Sequence, residues 1–361
     1  MLLESFRYFD NLLETLTFIV ISYSFCHLLS IFFAIDFYFN EWFNVIMKNI
    51  FVPVFKTKRS SEKNAIEKTS SLILGKDDII PYLEAIKSIS EPVIKKYIDL
   101  MGDNRFFIEP LSKEELNALF DYGAAIPVYL INRDTKDEEI DDFVKKSEQL
   151  NRSIAFKISD SDSLHAHRLE PLLKEKDFLI INLGNNDYGS SLFLSSIKVF
   201  YNFKCQIIIL SNERSVSASG SDLNKNYNNK YSDNVFFNHS VIEAIKSGSF
   251  NFDGFASYCG AKNDLTEDVK ISKEIFGYLI SFNYDKNAFY IVTSDTRNHI
   301  TRVYNDLLSI ISGDREIISI YSRTPISNDL LQEHLLTRKL SCQKKITIEI
   351  VHYIEEIVSA L

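Results

Sequence analysis

The sequence predicts an α/β fold: a closed (β/α)8 barrel of the TIM-barrel type, with an apolar helical segment before it and a hairpin with helices after it. Three observations lead there. Eight short apolar runs recur between residues 51 and 258. Polar or helically spaced stretches separate them, and strands alternating with helices favour a parallel sheet. Eight such units in about 200 residues match the small end of the barrel size range. The expected divisions are residues 1–48 (apolar segment), 49–258 (barrel) and 259–361 (hairpin and helices packed on the barrel).

The predicted strands are Val52–Lys56 (VPVFK), Ile79–Glu84 (IIPYLE), Phe106–Glu109 (FFIE), Ile126–Asn132 (IPVYLIN), Ile154–Ser159 (IAFKIS), Phe178–Gly184 (FLIINLG), Ile207–Asn212 (IIILSN) and Phe252–Tyr258 (FDGFASY). Between them, Ser60–Leu74 reads as a first covering helix closed by Gly75. Glu91–Met101 sets Val93, Ile94, Tyr97, Ile98 and Met101 at helical spacing. Ser112 with Glu115 reads as a capping box opening a helix to Phe120. Thr135–Leu150 places Ile140, Phe143, Val144 and Ser147 on one face, with acids early and lysines late, as the helix dipole favours. Ser163–Leu173 and Ser190–Tyr201 cover the next two strands. The seventh connection, Ser215–Asn234, is polar and nearly free of apolar anchors. It reads as a solvated insertion, with a phosphate-binding loop on the active face as the alternative. After Tyr258, Tyr278–Tyr284 and Phe289–Ser294 form an expected hairpin around Asp285-Lys286-Asn287. Asn298–Ile311 and Ile346–Leu361 read as amphipathic helices.

The chain has 361 residues and a formal net charge of −9, which argues against broad electrostatic binding to nucleic acid. Four dispersed cysteines (Cys26, Cys205, Cys259, Cys342) show no CxxC pair, so a zinc site or disulfide framework is not expected and a reducing compartment is. His165 and His167 form an HxH pair, which reads as loop or helix start rather than metal site. Leu16–Phe37 is strongly apolar and long enough to span a bilayer. Lys48, Lys56, Lys58 and Arg59 follow it, which would put the remainder in the cytoplasm, tethered to the membrane's inner face. Membrane contact through residues 16–37 is therefore one expectation. Two others are a helix packed on the protein and a misassigned start that leaves residues 1–46 untranslated, because Met47 opens MKNIFVPVFKTK directly before the first strand.

Several strand motifs occur in a distinctive order: Phe51-Val52-Pro53-Val54-Phe55-Lys56, Pro81-Tyr82-Leu83-Glu84, Ile126-Pro127-Val128, Lys157 inside a strand, and Phe255-Ala256-Ser257-Tyr258. In this order they resemble the phage and bacterial beta-protein family over roughly residues 48–300. That family usually carries Arg where Lys157 stands and Asp where Asn182 and Ser257 stand. The resemblance implies a setting in phage–host conflict and phage defence, with no established reaction and no cofactor.

Chemistry in such barrels gathers at the C-terminal strand ends. Glu84, Glu109 and Lys157 are the candidate catalytic groups there, as an acid–base pair with a lysine beside it. Lys56, Asn132, Asn182, Asn212, Glu213 and Tyr258 are candidate ligand-binding groups. Phe156 and Ile158 flank Lys157 and point opposite to it. If they face the covering helices, Lys157 faces Glu84 and Glu109 inside the barrel. A buried structural ion network is the competing reading. No Walker A, GxGxxG or nucleophile elbow is present, and no metal or cofactor is expected. Two functions fit: a defence-associated barrel binding a small or anionic ligand at the strand ends, through an unknown protein or small-molecule partner, and a barrel enzyme acting on a polar anionic substrate. Carboxylates and Lys157 converging on an open cavity would favour the enzyme. A plugged mouth would favour an interaction module.

Overall fold

A computed structural model describes residues 49–57, 60–159, 166–184, 187–212, 214, 230–232, 240–261, 274–294 and 297–361. Eight parallel strands close a barrel. They are β1 (Ile50–Lys56), β2 (Tyr82–Glu84), β3 (Phe106–Glu109), β4 (Ala125–Leu130), β5 (Ala155–Ser159), β6 (Phe178–Gly184), β7 (Gln206–Ser211) and β8 (Gly254–Ser257). Each pairs with its neighbours in chain order, and β8 closes the ring with Ile50 opposite Gly254 and Pro53 opposite Ser257. The expected second run is in the sheet: Ile79 bridges Phe51, and Tyr82–Glu84 pairs on both sides.

The two-residue period of a strand sorts these side chains into two cores. Val52, Val54, Tyr82, Phe107, Val128, Ala155, Ile180, Ile208, Leu210 and Ala256 fill the barrel interior. Phe51, Phe55, Leu83, Ile108, Phe156, Ile158, Leu179, Ile209 and Phe255 face outward and join the helices in a second cluster. The interior is packed, as barrels of this kind are, rather than a pore. Gly254 marks the closing seam. A Cβ there would meet the Ile50 carbonyl oxygen, with Ile50 Cβ at 2.7 Å and Ile208 Cδ1 at 2.8 Å.

Helices α1 (Ser60–Ile73), α2 (Pro92–Met101), α3 (Lys113–Leu116), α4 (Asp137–Gln149), α5 (Ala166–Leu169), α6 (Ser191–Ile197) and α7 (Ser240–Lys246) lie between the strands. Ile140, Phe143, Val144 and Ser147 are buried on α4, as its pattern predicts. Ser112 makes no side-chain cap, contrary to the expected capping box. The Glu115 carboxylate instead accepts from Ser88 Oγ and from the Ile89 N–H at 3.2 Å, so a tertiary partner outcompetes the local one. The helix accordingly lasts one turn and continues as a 3-10 segment, Asn117–Asp121. The helix expected over 163–173 is described only as the single turn α5, where His167 is exposed. Residues 16–37, His165, Glu213 and most of the expected loop 215–234 lie outside the described residues. Among the described residues no helix is long and apolar enough to cross a membrane.

Beyond the barrel, β9 (Tyr278–Asn283) and β10 (Ala288–Thr293) form the expected hairpin, with Asn287 in the left-handed region at φ 49°. The short strand Lys230–Ser232, inside the stretch whose sequence predicts a loop, pairs antiparallel with β10. Four helices follow: α8 (Ile300–Gly313), α9 (Arg315–Tyr321), α10 (Pro325–Thr337) and α11 (Cys342–Ala360). The expected helices over 298–311 and 346–361 correspond to α8 and α11, while α9 and α10 went unpredicted. The α10 N-terminus explains part of that. The Glu355 carboxylate of α11 accepts from the Ile326 and Ser327 N–H groups, both at 2.8 Å, so the cap comes from a distant residue.

Helix α11 is buried along most of its length and carries polar groups to match. Its Glu349 accepts from Ile280 N–H at 2.7 Å, and its Glu356 accepts from Tyr284 N–H at 2.8 Å. Between them His352 Nε2 donates to the Phe282 carbonyl at 2.7 Å. One helix face therefore satisfies alternate backbone groups along the edge of β9. An open sheet edge is an aggregation hazard, and covering it with a helix removes that hazard. On another side, Thr347 of α11 donates to the Ser61 carbonyl of α1 at 3.1 Å, which ties the C-terminal helix to the barrel's first covering helix.

Candidate active site

The inward positions nearest the C-terminal strand ends break the apolar pattern of the interior. Lys56 follows Val52 and Val54, Glu84 follows Tyr82, Glu109 follows Phe107, and Lys157 follows Ala155. Phe156 and Ile158 are buried in the outer cluster, so the period of two turns Lys157 into the barrel. Pairing places Lys56 beside Glu84 and Glu84 beside Glu109.

These four residues form one ion cluster. Lys157 Nζ lies 2.8 Å from Glu109 Oε2 and 3.7 Å from Glu84 Oε2. Lys56 Nζ lies 3.3 Å from Glu84 Oε1. Their side chains are 7–8 % exposed for the lysines, 13 % for Glu109 and 19 % for Glu84. Two tyrosines complete the shell. Tyr258 OH donates to Glu84 Oε2 at 2.7 Å, and Tyr82 OH donates to Glu109 Oε2. The ammonium groups also stand over aromatic faces: Lys56 is 5.4 Å from the Tyr258 ring centre and Lys157 is 5.5 Å from that of Tyr82.

The electrostatics follow from this packing. Burial pushes the Glu84 carboxyl up, but Lys157 and Lys56 outweigh it and hold the carboxyl below its ordinary range. Burial pushes the Lys157 ammonium down, but Glu109 and Glu84 outweigh it and raise it. Burial and the neighbouring Glu109 raise the Tyr82 phenol well above its usual value, so it stays a neutral donor. The charges of Lys56, Lys157, Glu84 and Glu109 cancel. One acceptor is left over: Glu109 Oε1 has no hydrogen-bond or ion-pair partner among the described residues.

A cavity of about 600 Å³ opens beside this cluster, lined by Lys56, Glu84, Glu109 and Asn132 among others. Lys157 is not among its lining residues, so of the three candidate catalytic groups the two glutamates reach the cavity. The remaining candidate positions divide. Asn132 is at the cavity, although its Oδ1 accepts from Asp134 N–H at 3.0 Å and from Thr135 Oγ1 at 3.2 Å in a local turn. Tyr258 reaches the cluster through Glu84. The Asn182 Oδ1 accepts from Gly184 N–H at 3.0 Å and shapes a bulge in β6, where Gly184 has φ 61°; it does not line the cavity. Asn212 is buried, and its Oδ1 has no hydrogen-bond partner among the described residues. Tyr82 is a site residue that the strand-end pattern does not single out. The available signal was its inward phase with Glu84, since a tyrosine inside a barrel needs a partner for its hydroxyl. Leu111 and Leu130 line the cavity as well, without a sequence signal that marks them. Among the described residues no group of three or more His, Cys, Asp or Glu is placed to hold a metal ion. A scan against protein-family models finds no match to this chain, and a search of curated proteins finds none either.

Proposed function

We propose that the barrel mouth binds a small polar ligand, with Glu109 as the group that meets it. The observation carrying this reading is the cavity of about 600 Å³ directly on the charged ends of β1–β3. Open concave sites with a few convergent polar groups are where barrels bind ligands. The charge balance refines the expected ligand. Among the described lining residues Lys56 and Lys113 stand against Glu84, Glu109 and Glu114, and Lys157, paired with Glu109, offsets the third carboxylate, so this side of the mouth has no surplus positive charge. A neutral polar ligand suits it better than an anionic one. The resemblance to the beta-protein family supplies the proposed setting, phage–host conflict.

A calorimetric or thermal-shift panel of sugars, polyols, nucleosides and amino acids tests the reading. At least one class should bind the protein, and Glu109→Gln should weaken it about tenfold, the loss of roughly one hydrogen bond to a charged acceptor. Binding that ignores Glu109→Gln would move the site elsewhere. For the setting, phage plating on cells expressing the protein should drop, and the same variant should restore it.

A second reading is acid–base catalysis. It rests on the partnerless Glu109 Oε1, next to an Oε2 already held by Lys157 and Tyr82. In that reading Oε1 takes a proton from a substrate hydroxyl while Lys157 holds the other oxygen. Turnover of a bound ligand, lost in Glu109→Gln with the fold intact, separates it from binding alone.

A further inference from the structure

The cavity has an apolar wall as well as a polar floor. Leu111 is 60 % exposed and Leu130 is 46 % exposed, and both line it. They are among the few large apolar side chains that the described residues leave in water. Leu130 has an inward phase, following Ile126 and Val128 of the interior, and it pairs in register with Lys157. It thus sits in the same ring as the ion cluster, where the neighbouring strands carry Glu109 and Lys157. Val128, two residues before it, is fully buried, whereas Leu130 is left exposed at the strand end. Pro110 and Ile86 continue the same wall.

We infer that the mouth is specific for an amphiphilic neutral molecule: a hydroxyl-bearing head on the polar floor, with an apolar substituent lying against Leu111 and Leu130. This rests on the ligand-binding reading above and adds the chemical class. The head follows from the floor. Glu109 Oε1 needs a donor, the ammonium groups favour acceptors, and the balanced charge disfavours a net-charged head. A hydroxyl group is both donor and acceptor. The substituent follows from the leucines, whose exposed surface would leave water only on contact with apolar ligand atoms.

The test uses methyl, butyl and hexyl β-glucoside as probes, titrated calorimetrically into the full chain at concentrations that keep them monomeric. The dissociation constant should fall about fourfold per added methylene until the wall is covered, the ratio equivalent to ~0.8 kcal/mol per buried CH₂. Leu111→Asn and Leu130→Asn should flatten that dependence, so that the three probes bind with similar constants. Glu109→Gln should weaken all three by a common factor. Binding with no dependence on chain length overturns the amphiphile inference and leaves the ligand-binding reading standing. Chain-length dependence that survives both leucine variants also overturns it. If no glucoside binds, the hydroxyl-headed amphiphile is wrong, and the broader panel decides the ligand-binding reading separately. Circular dichroism of each variant confirms that it is folded, since Leu111 and Leu130 are exposed and their replacement leaves no cavity.

Discussion

The Lys157 ammonium lies 2.8 Å from Glu109 Oε2, although the two residues are 48 positions apart and sit on strands separated by β4. The curvature of the sheet turns both side chains inward and brings them together over β4. Each carries its charge where burial alone would oppose it, and each is tolerated because the other is there.

Replacing Lys157 with Met should therefore destabilise the protein by roughly 3–5 kcal/mol, the usual result of stranding one partner of a buried pair. Urea denaturation reads the loss. Adding Glu109→Gln should return part of it, because the stranded carboxylate is then neutral. A Lys157→Met protein as stable as its parent would mean that the ion cluster contributes nothing to the fold.

His352 makes a prediction about pH. Burial holds its imidazole down at about 3, with Arg323 adding to the effect and the Phe282 carbonyl opposing it. The Phe282 carbonyl can only accept, so Nε2 carries the proton, and Nδ1 faces Thr324 Oγ1 at 2.9 Å as an acceptor. Because the folded value lies below the unfolded one near 6.5, protonation favours the unfolded chain. The stability due to neutral His352 is complete above that unfolded value and is lost as pH falls from there towards 3. Glu84 is lowered too, but its contribution begins to fade only in the ordinary carboxylate range, at lower pH. Between pH 6.5 and 5 the stability should fall with a slope of up to ~1.4 kcal/mol per unit for this histidine. His352→Gln should reduce that slope. An identical slope in the variant would assign the titration to other groups, such as His334, which burial also lowers.

At the barrel seam, Gly254→Ala should be poorly tolerated. The added methyl group meets backbone as well as side chain, with Ile50 Cβ at 2.7 Å and Ile208 Cδ1 at 2.8 Å. Strands β1 and β7 both border it, so relief would need the ring to open. The expected cost is at least ~1–3 kcal/mol, visible as a lower urea midpoint. A neutral substitution would show that the seam has slack.

Much of the candidate site was legible because it depends on local geometry. Alternation along Ile154–Ile158 fixed the inward phase of Lys157 once Phe156 and Ile158 were assigned to the helices. The same period set Lys56, Glu84 and Glu109 on the inside. Part of what escaped has remote partners, although α9 carries a local cap, Asp314, which accepts from the Glu316 and Ile317 N–H groups. Ser112 and Glu115 have the spacing of a capping box, yet Glu115 reaches Ser88 and Ile89 on the preceding unit. The start of α10 has no strong local cap, because Glu355 of α11 supplies it.

The barrel, its eight strands and the side of each strand on which the charges fall are legible in the chain alone. Those are consequences of a two-residue period and of alternating strand and helix patterns, which any window of the chain contains. Only packing settles the rest: that Lys157 pairs most closely with Glu109, that Tyr82 and Tyr258 hold the carboxylates, that Leu111 and Leu130 line a cavity beside the ion cluster, and that α11 covers the edge of β9. Those relations depend on register and closure, where strands far apart in sequence set the distances between side chains. No local pattern encodes such distances, because the free energy that selects them arises only when the whole ring is packed.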